Sequence, residues 1–481
     1  MDKMTKLNKI ILNKSYFAEL LLVWTLLNCT ILFKVNPYCQ YVAILFAIWG
    51  GAIIINDLLS NKRKFIDSKI LLIFLLLISS SLFSCVYAFA FQGSSGIVQN
   101  VYSIVAISIN LLILCYNDFS KKTIKNLLLI GIIISSIFVI ISLLSLFGIW
   151  NFELTNESGK YFTFGLIKNE FRLAGISGNP NDLARLCLFS GVNIVLYLFY
   201  FNPKRNIIMY LLLLADWIVI VFTGCRGVIV SVYISLTLYF VKECYLFVIH
   251  ENGLQCKRNM LIVLLVLVLM VISGYSHNIY SNHYLNEYNK TQVNAESNDK
   301  NGIVDQSSNQ NIVNNSEITV DSNVREKSLS SGRSFLIKLG LNATVYTSPI
   351  FGLTPGFARR DCIAYLHDVM QTTEVESSAV GNTHNTFIQA YVNYGVMFVT
   401  LIFVLVILVV KKIVTNIFSK KNSILFICIF SILSISMVEN VFLYSYENEP
   451  LNILLMILLG YLLFNGQEIE SIQEENNESF A

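Results

Sequence analysis

Charge is scarce in this chain. Only 14% of its 481 residues are Asp, Glu, Lys or Arg, and 55% are hydrophobic, whereas soluble domains carry roughly 25% charged residues. A cytosolic globular protein is therefore excluded. Basic and acidic residues number 34 and 31, a net charge of +3, and the basic ones form short clusters between apolar runs. That pattern leaves no nucleic-acid footprint.

Metal-binding patterns are also missing. The five histidines (His250, His277, His283, His367, His384) are dispersed, and the ten cysteines contain no Cys-x-x-Cys, so a structural metal is not expected. Cys29, Cys85, Cys187, Cys244 and Cys428 lie inside apolar runs, where a thiol acts as a small hydrophobe; no disulfide framework is implied. Asp-x-Asp, the acidic pair that commonly holds a metal on a nucleotide diphosphate in sugar-nucleotide transferases, does not occur. No repeat of 20 to 50 residues and no symmetry between halves is found, which counts against transporters built from inverted repeats.

Long apolar runs are what the chain has in abundance, with a mean hydropathy of +0.61. About twelve are long enough to cross a hydrocarbon core about 30 Å thick. They lie near 16–34, 40–56, 69–91, 97–116, 125–149, 181–201, 206–223, 227–248, 259–275, 386–410, 423–445 and 450–465. The expected fold class is all-α, a polytopic membrane protein of about twelve transmembrane helices. The basic N-terminus (Lys3, Lys6, Lys9, Lys14) leads into a run too long for a cleaved signal, so the first span is expected to be retained. Short loops rich in Lys and Arg stay in the cytoplasm. Lys62/Arg63/Lys64, Lys121/Lys122, Lys204/Arg205, Lys257/Arg258 and Lys411/Lys412/Lys420/Lys421 all fall on the side of the N-terminus. Both termini are thus expected in the cytoplasm, including an acidic tail at 466–481.

Residues 1–275 then hold nine spans, with an external motif loop at 150–181, and 386–465 hold the last three. Between them, 276–385 form a large external loop. Its stretch 286–331 is rich in Asn, Ser, Asp and Glu, too polar to bury a core, and is expected to be disordered or a loose lid. From Ser331 onward, Leu336, Leu339, Leu341, Val345 and Ile350 suggest an amphipathic helix lying on the membrane, followed by the turn-rich GLTPGF.

Four external places could carry chemistry. In FRLAGISGNPNDLA, Arg172 precedes a turn containing Asn179 and Asn181 at the start of a helix, which is either an anion cradle or an ordinary capped loop. In TGCRG, Arg226 sits on a short connector between spans and faces a polar cavity or snorkels to lipid phosphate. SGR places Arg333 at the start of the amphipathic segment. In GNTHNTFIQAYVNYGV, His384 and Asn385 precede a span; a neutral imidazole there is suited to take a proton from a hydroxyl. His384, Ile388, Tyr391 and Gly395 follow a helical spacing, so that one face would pack through Gly395 while presenting the histidine. Within the spans, Asp216 and Glu439 are rare acids near the external end, suited to function or to pairing with an arginine.

In order and placement these motifs resemble the O-antigen ligase and polymerase family of bacterial membrane glycosyltransferases. The resemblance runs from Arg172 ahead of GISGNPNDLA, through TGCRG and SGR with GLTPGF, to HNTFIQAYVNYGV, or about 172–396. Cys225 departs from it, standing where the family more often has a small hydroxyl residue, and the polar insertion departs from the family's more compact loops. The resemblance implies a GT-C-like fold in the bacterial cytoplasmic membrane and transfer without a metal or other cofactor. The donor would be a glycan on undecaprenyl diphosphate, the acceptor another glycan or lipid-linked hydroxyl, and a flippase and chain-length regulator would be further partners. Arg172, Arg226 and Arg333 would bind the diphosphate, and His384 would act as general base, with Asn179, Asn181, Asn385, Asp216 and Glu439 in support. A capsule, O-antigen or exopolysaccharide polymerase is the leading expectation. A ligase to lipid or protein, a lipid-linked oligosaccharide transporter and a non-catalytic scaffold stand as alternatives.

Overall fold

A computed structural model describes residues 12–60, 69–116, 119–156, 161–201, 206–249, 253–300, 333–370, 380–416, 423–441 and 449–464. Helices dominate. In the first part of the chain these are α1 (Lys14–Asn28), α2 (Ile31–Val35), α3 (Cys39–Ser60), α4 (Lys69–Gln92), α5 (Ile97–Ser108, continued as a π-helix over Ile109–Cys115) and α6 (Lys121–Leu146). Then come α7 (Pro180–Tyr200), α8 (Ile207–Thr223), α9 (Arg226–Ile249), α10 (Gly253–Lys300), α11 (Arg333–Thr347), α12 (Ala358–Asp368), α13 (Thr386–Asn416), α14 (Ser423–Ser436) and α15 (Pro450–Phe464).

Each of the twelve apolar runs read from the sequence contains helix, but the run at 16–34 is divided between α1 and the short α2, and that at 423–445 is helical only to Ser436, with 442–445 outside the described residues. Among the described residues, eight helices are long and apolar enough to cross a membrane by length and composition, and α8, α14 and α15 are shorter apolar helices. The chain is a multi-pass helical membrane protein. Its periphery agrees: Leu261, Leu264, Leu265 and Val268 of α10 all point outward, as side chains facing lipid do. Local chemistry sets the helix starts. The Ser120 hydroxyl caps α6 through the Thr123 amide at 3.2 Å, and the side chains of Asn179 and Asn206 cap α7 and α8. Pro180 follows its cap at the first helical position, where its missing N–H costs nothing.

The two ends of the bundle differ. At one end Tyr116 packs on Phe464, Lys412 donates to the Leu463 carbonyl at 2.9 Å, and Lys121, Tyr200, Leu425 and Tyr461 line a mostly apolar cavity. At the other end lie the motif residues. Lys62–Lys64, Lys204–Arg205, Lys420–Lys421 and both chain tails lie outside the described residues.

Several sequence expectations need correction. The motif loop at 150–181 contains a three-stranded antiparallel sheet: β1 (Phe152–Thr155), β2 (Tyr161–Ile167) and β3 (Arg172–Gly175), in order β1-β2-β3 with a register shift between Gly165 and Leu166. Its strands are four to seven residues long, too short to stand out by periodicity. Helix α10 does not stop near 275 but continues to Lys300. No proline or glycine interrupts it after Gly274, and His277, Tyr280 and Tyr284 pack their rings on Phe171. Residues 286–300 are therefore helical, not part of a disordered insertion, while 301–331 lie outside the described residues. Helix α11 forms where an amphipathic helix was expected, but it buries Leu339, Gly340, Ala343 and Thr344 against protein. Val345 and Ile350 are exposed.

Helix α13 is broken at Gly395 (φ 72°, ψ −169°). The segment after α11 enters the break: the Leu353 and Thr354 amides donate to the Val392 and Asn393 carbonyls at 2.7 and 2.9 Å, and the Val396 amide donates to Pro349 O at 3.1 Å. Backbone groups freed by the break are thereby satisfied. Any side chain at Gly395 would collide with the Ile350 carbonyl. His384 lies before the first residue of α13, and the helix changes direction at Gly395, so the two do not share one continuous helical face.

Candidate functional site

Arg172, at the start of β3, reaches three elements. Its Nε donates to the Thr223 carbonyl at 2.7 Å, Nη2 to Asn181 Oδ1 at 2.9 Å, and Nη1 to Glu170 at 3.3 Å. It thus braces the turn between α8 and α9 against the capped start of α7. That turn needs Gly224, which ends α8 in the left-handed conformation at φ 61°. A Cβ on Gly224 would sit 3.5 Å from Arg172 Nε.

Arg226 is the first residue of α9 and is exposed. Its side chain has no hydrogen bond or ion pair among the described residues. The next residue, Gly227, lies against Val438, where an added Cβ would come within 2.7 Å of the valine methyl. Arg226 therefore stands beside the segment carrying Glu439.

Glu439 is not inside a span, as the sequence suggested. Helix α14 ends at Ser436, and the carboxylate lies in the turn beyond it, only 5% exposed. Arg333 Nη2 meets it at 2.6 Å and Arg333 Nη1 donates to the Val438 carbonyl at 2.8 Å. Arg185 Nη1 and His384 Nδ1 approach the other carboxylate oxygen at 3.3 and 3.4 Å. Burial pushes the Glu439 carboxyl up, but the His384 hydrogen bond and the charges of Arg185 and Arg333 outweigh it and hold the carboxyl below its ordinary value.

The network extends inward through Arg185, which also pairs with Asp182 at 2.7 Å and Glu449 at 3.0 Å. Burial pushes Glu449 up to about 7, against the pull of Arg185 and with the repulsion of Asp182 and Glu439 adding to it. Asp182 in turn pairs with Lys34, whose ammonium also donates to Ser177 O at 3.0 Å. Three cations (Lys34, Arg185, Arg333) thus meet three carboxyl groups (Asp182, Glu439, Glu449), the last of them pushed towards neutrality, while Arg226 on the neighbouring turn has no partner among the described residues.

His384 is held by strained backbone and by a row of contacts. Its φ of 49° is uncommon for a residue with a side chain and costs about 1–3 kcal/mol. Its amide donates to Asn382 Oδ1 at 2.9 Å, and Asn440 donates to the same oxygen at 2.6 Å. Asn385 caps α13 through the Phe387 and Ile388 amides and donates to Met437 O at 2.7 Å. The Thr386 hydroxyl donates to Glu439 O and accepts from the Val441 amide, each at 3.0 Å. These bonds hold the 382–386 segment against 437–441, leaving the histidine side chain 30% exposed.

The structure brings together Arg172, Asn179 and Asn181 at the start of α7, Arg226 beside them, and Arg333, His384, Asn385 and Glu439 at one turn. Asp216 stays apart. It lies seven residues before the end of α8, about 10 Å along the axis, and its carboxylate faces Gly191 of α7. Arg185, Glu449 and Lys34 were not picked out from the sequence. Arg185 had a signal, an ionisable residue inside an apolar run, one turn after Asp182; Glu449 and Lys34 sit at span ends, where charges are common. Among the described residues no three His, Cys, Asp or Glu side chains group in a way that would hold a metal ion. Compared with known families and curated proteins, the chain matches no family model and no curated sequence.

Proposed function

We propose that this protein is a membrane glycosyltransferase that moves a glycan from undecaprenyl diphosphate to an acceptor hydroxyl at the outer face of the bacterial cytoplasmic membrane. The acceptor is the next lipid-linked repeat unit, which makes the enzyme a polysaccharide polymerase. What carries the reading is one arrangement: an exposed Arg226, without a partner among the described residues, on a turn braced by Arg172, whose next residue Gly227 lies against Val438, beside the buried Glu439 carboxylate that meets a partly exposed histidine.

In this reading Arg226 meets the donor diphosphate directly. Its planar, permanently charged guanidinium suits a phosphate, and it neutralises the leaving group without a metal. Arg172 has its donors committed and acts by fixing the turn that presents Arg226. Arg333 and Arg185, both tied to Glu439, are further guanidinium groups within the site. The acceptor oxygen attacks the anomeric carbon as the bond from that carbon to the phosphate oxygen breaks. The diphosphate leaves with the bonding electrons, stabilised by arginine, and the hydroxyl proton passes to His384.

The test is reconstitution in liposomes with the lipid-linked repeat unit alone, followed by a glycan gel. A ladder that disappears in His384→Ala and survives a chelator is the expected result. Donor consumption only when a second acceptor is added would make the protein a ligase. Movement of the donor between leaflets without its consumption would make it a transporter and overturn the roles given to His384 and Arg226.

A further inference from the structure

Two arginines and a histidine converge on the one carboxylate of Glu439, and their geometry is unequal. Arg185 already has Asp182 at 2.7 Å and Glu449 at 3.0 Å, closer than its 3.3 Å to Glu439. It does not need Glu439 for neutralisation. His384 has no other side-chain partner for its ring among the described residues. The Glu439 backbone carbonyl is fixed by the Thr386 hydroxyl at 3.0 Å, two residues from the histidine. Carboxylate and ring are therefore registered to the same short stretch of backbone.

We propose that Glu439 is the positioning residue for His384: its carboxylate accepts a hydrogen bond from Nδ1–H, which leaves Nε2 as the basic atom turned to the acceptor. A carboxylate can only accept, so the nitrogen beside it carries the proton in the neutral ring. The assignment rests on the transfer reaction proposed above, in which Nε2 takes the hydroxyl proton. Glu439 also holds Arg333, so one buried group ties the arginine of α11 to the base. Loss of its charge frees both at once, and loss of its length alone does neither completely.

Two measurements test this, and they fail separately. The first is nitrogen-15 NMR of histidine-labelled full-length protein in nanodiscs, with the His384 signal assigned by its disappearance in His384→Asn. Wild-type protein is expected to carry the proton of the neutral ring on Nδ1, and Glu439→Gln to shift the population towards Nε2. A wild-type ring protonated on Nε2, or an unchanged tautomer in Glu439→Gln, overturns the proposal whatever the activity. The second is transfer kinetics. Glu439→Gln should lower kcat by about 10²-fold or more while KM changes by less than about threefold, with Glu439→Asp recovering much of the loss. An equal loss in Gln and Asp variants, both folded, overturns the positioning role. The expected tautomer in a protein that never consumes the donor supports the Glu439–His384 pair and overturns the transfer reading instead.

Discussion

The segment from Arg333 to Thr386 docks on the bundle at two places, and they are built from different materials. At the break in α13, the junction uses backbone, glycine and neutral amides. Asn100 accepts from the Gly356 amide at 2.7 Å and donates to Thr354 at 3.1 Å, while Gln389 bonds Thr383, Gly381 and Asn393. At the turn after α14, it uses charge: Arg333, Arg185 and His384 around Glu439. The first junction is closed, with Asn100, Gln389, Asn393 and Thr354 buried. The second is open at its outer edge, where Arg333 is 29% and His384 30% exposed. Buried charge is a poor device for stability, since neutral packing does the same work with less desolvation. A protein that docks a segment with amides at one place has no structural need of ionised groups at the other. In the transfer reaction proposed above, the charged junction is the one that holds the reacting groups.

That contrast can be broken in order of expected effect. His384→Ala should lower glycan transfer by about 10²- to 10⁴-fold with the thermal midpoint in detergent unchanged, since the side chain makes one long polar contact; an equal fall in midpoint would merge the two junctions into one structural class. Arg185→Ala leaves Glu439 and Glu449 facing each other without their shared cation. Removing one partner of a buried pair costs roughly 3–5 kcal/mol, so its midpoint should fall further than that of any amide variant. Gly395→Ala forces a methyl group onto the Ile350 carbonyl at a positive φ and should cost about 2–3 kcal/mol, read by thermal aggregation; a stable variant would show that the broken helix can close. Asn100→Ala removes two neutral hydrogen bonds and should cost about 1–2 kcal/mol with transfer chemistry otherwise intact.

The smallest effect is that of acid. Because the carboxyl of Glu439 is held below its ordinary value of 4.5, its contribution is complete above that pH and is lost as pH falls through its lowered value. Glu439→Gln should therefore flatten the acid side of the stability profile below about pH 4.5 and leave the amide junction's response to acid unchanged.

The spans were legible because lipid imposes a simple rule. An apolar run long enough to cross must be a helix, since no water is available to satisfy its backbone, and among the described residues eight such runs form helices long and apolar enough to cross. The motif residues were legible for a related reason: where charge is rare, an arginine or histidine in a turn stands out. What the spacing hid was geometry. Gly395 reads as one helical residue among many, and only the intruding Ile350 carbonyl turns it into a break. The run's apolar end near 275 suggested the helix would stop there, yet α10 continues to Lys300, its rings at Tyr280 and Tyr284 packing on Phe171. Asp216 and Glu439 read alike as lone acids in apolar runs. One faces Gly191 within α7 and α8, while the other lies beyond its helix among two arginines and a histidine.

The sequence alone determined that this is a multi-pass helical membrane protein, because hydropathy and helix length act locally and need no partner. It also singled out several arginines, a histidine and two acids as unusual in so apolar a chain, though not Arg185, Glu449 or Lys34. Tertiary structure decided how they divide the work. Arg172 is committed to a carbonyl of α8, Arg226 is left free, and Arg333 and His384 share a carboxylate with an arginine from α7. Ion pairs and hydrogen bonds depend on separations of about 3 Å between groups far apart along the chain, and only packing sets those distances.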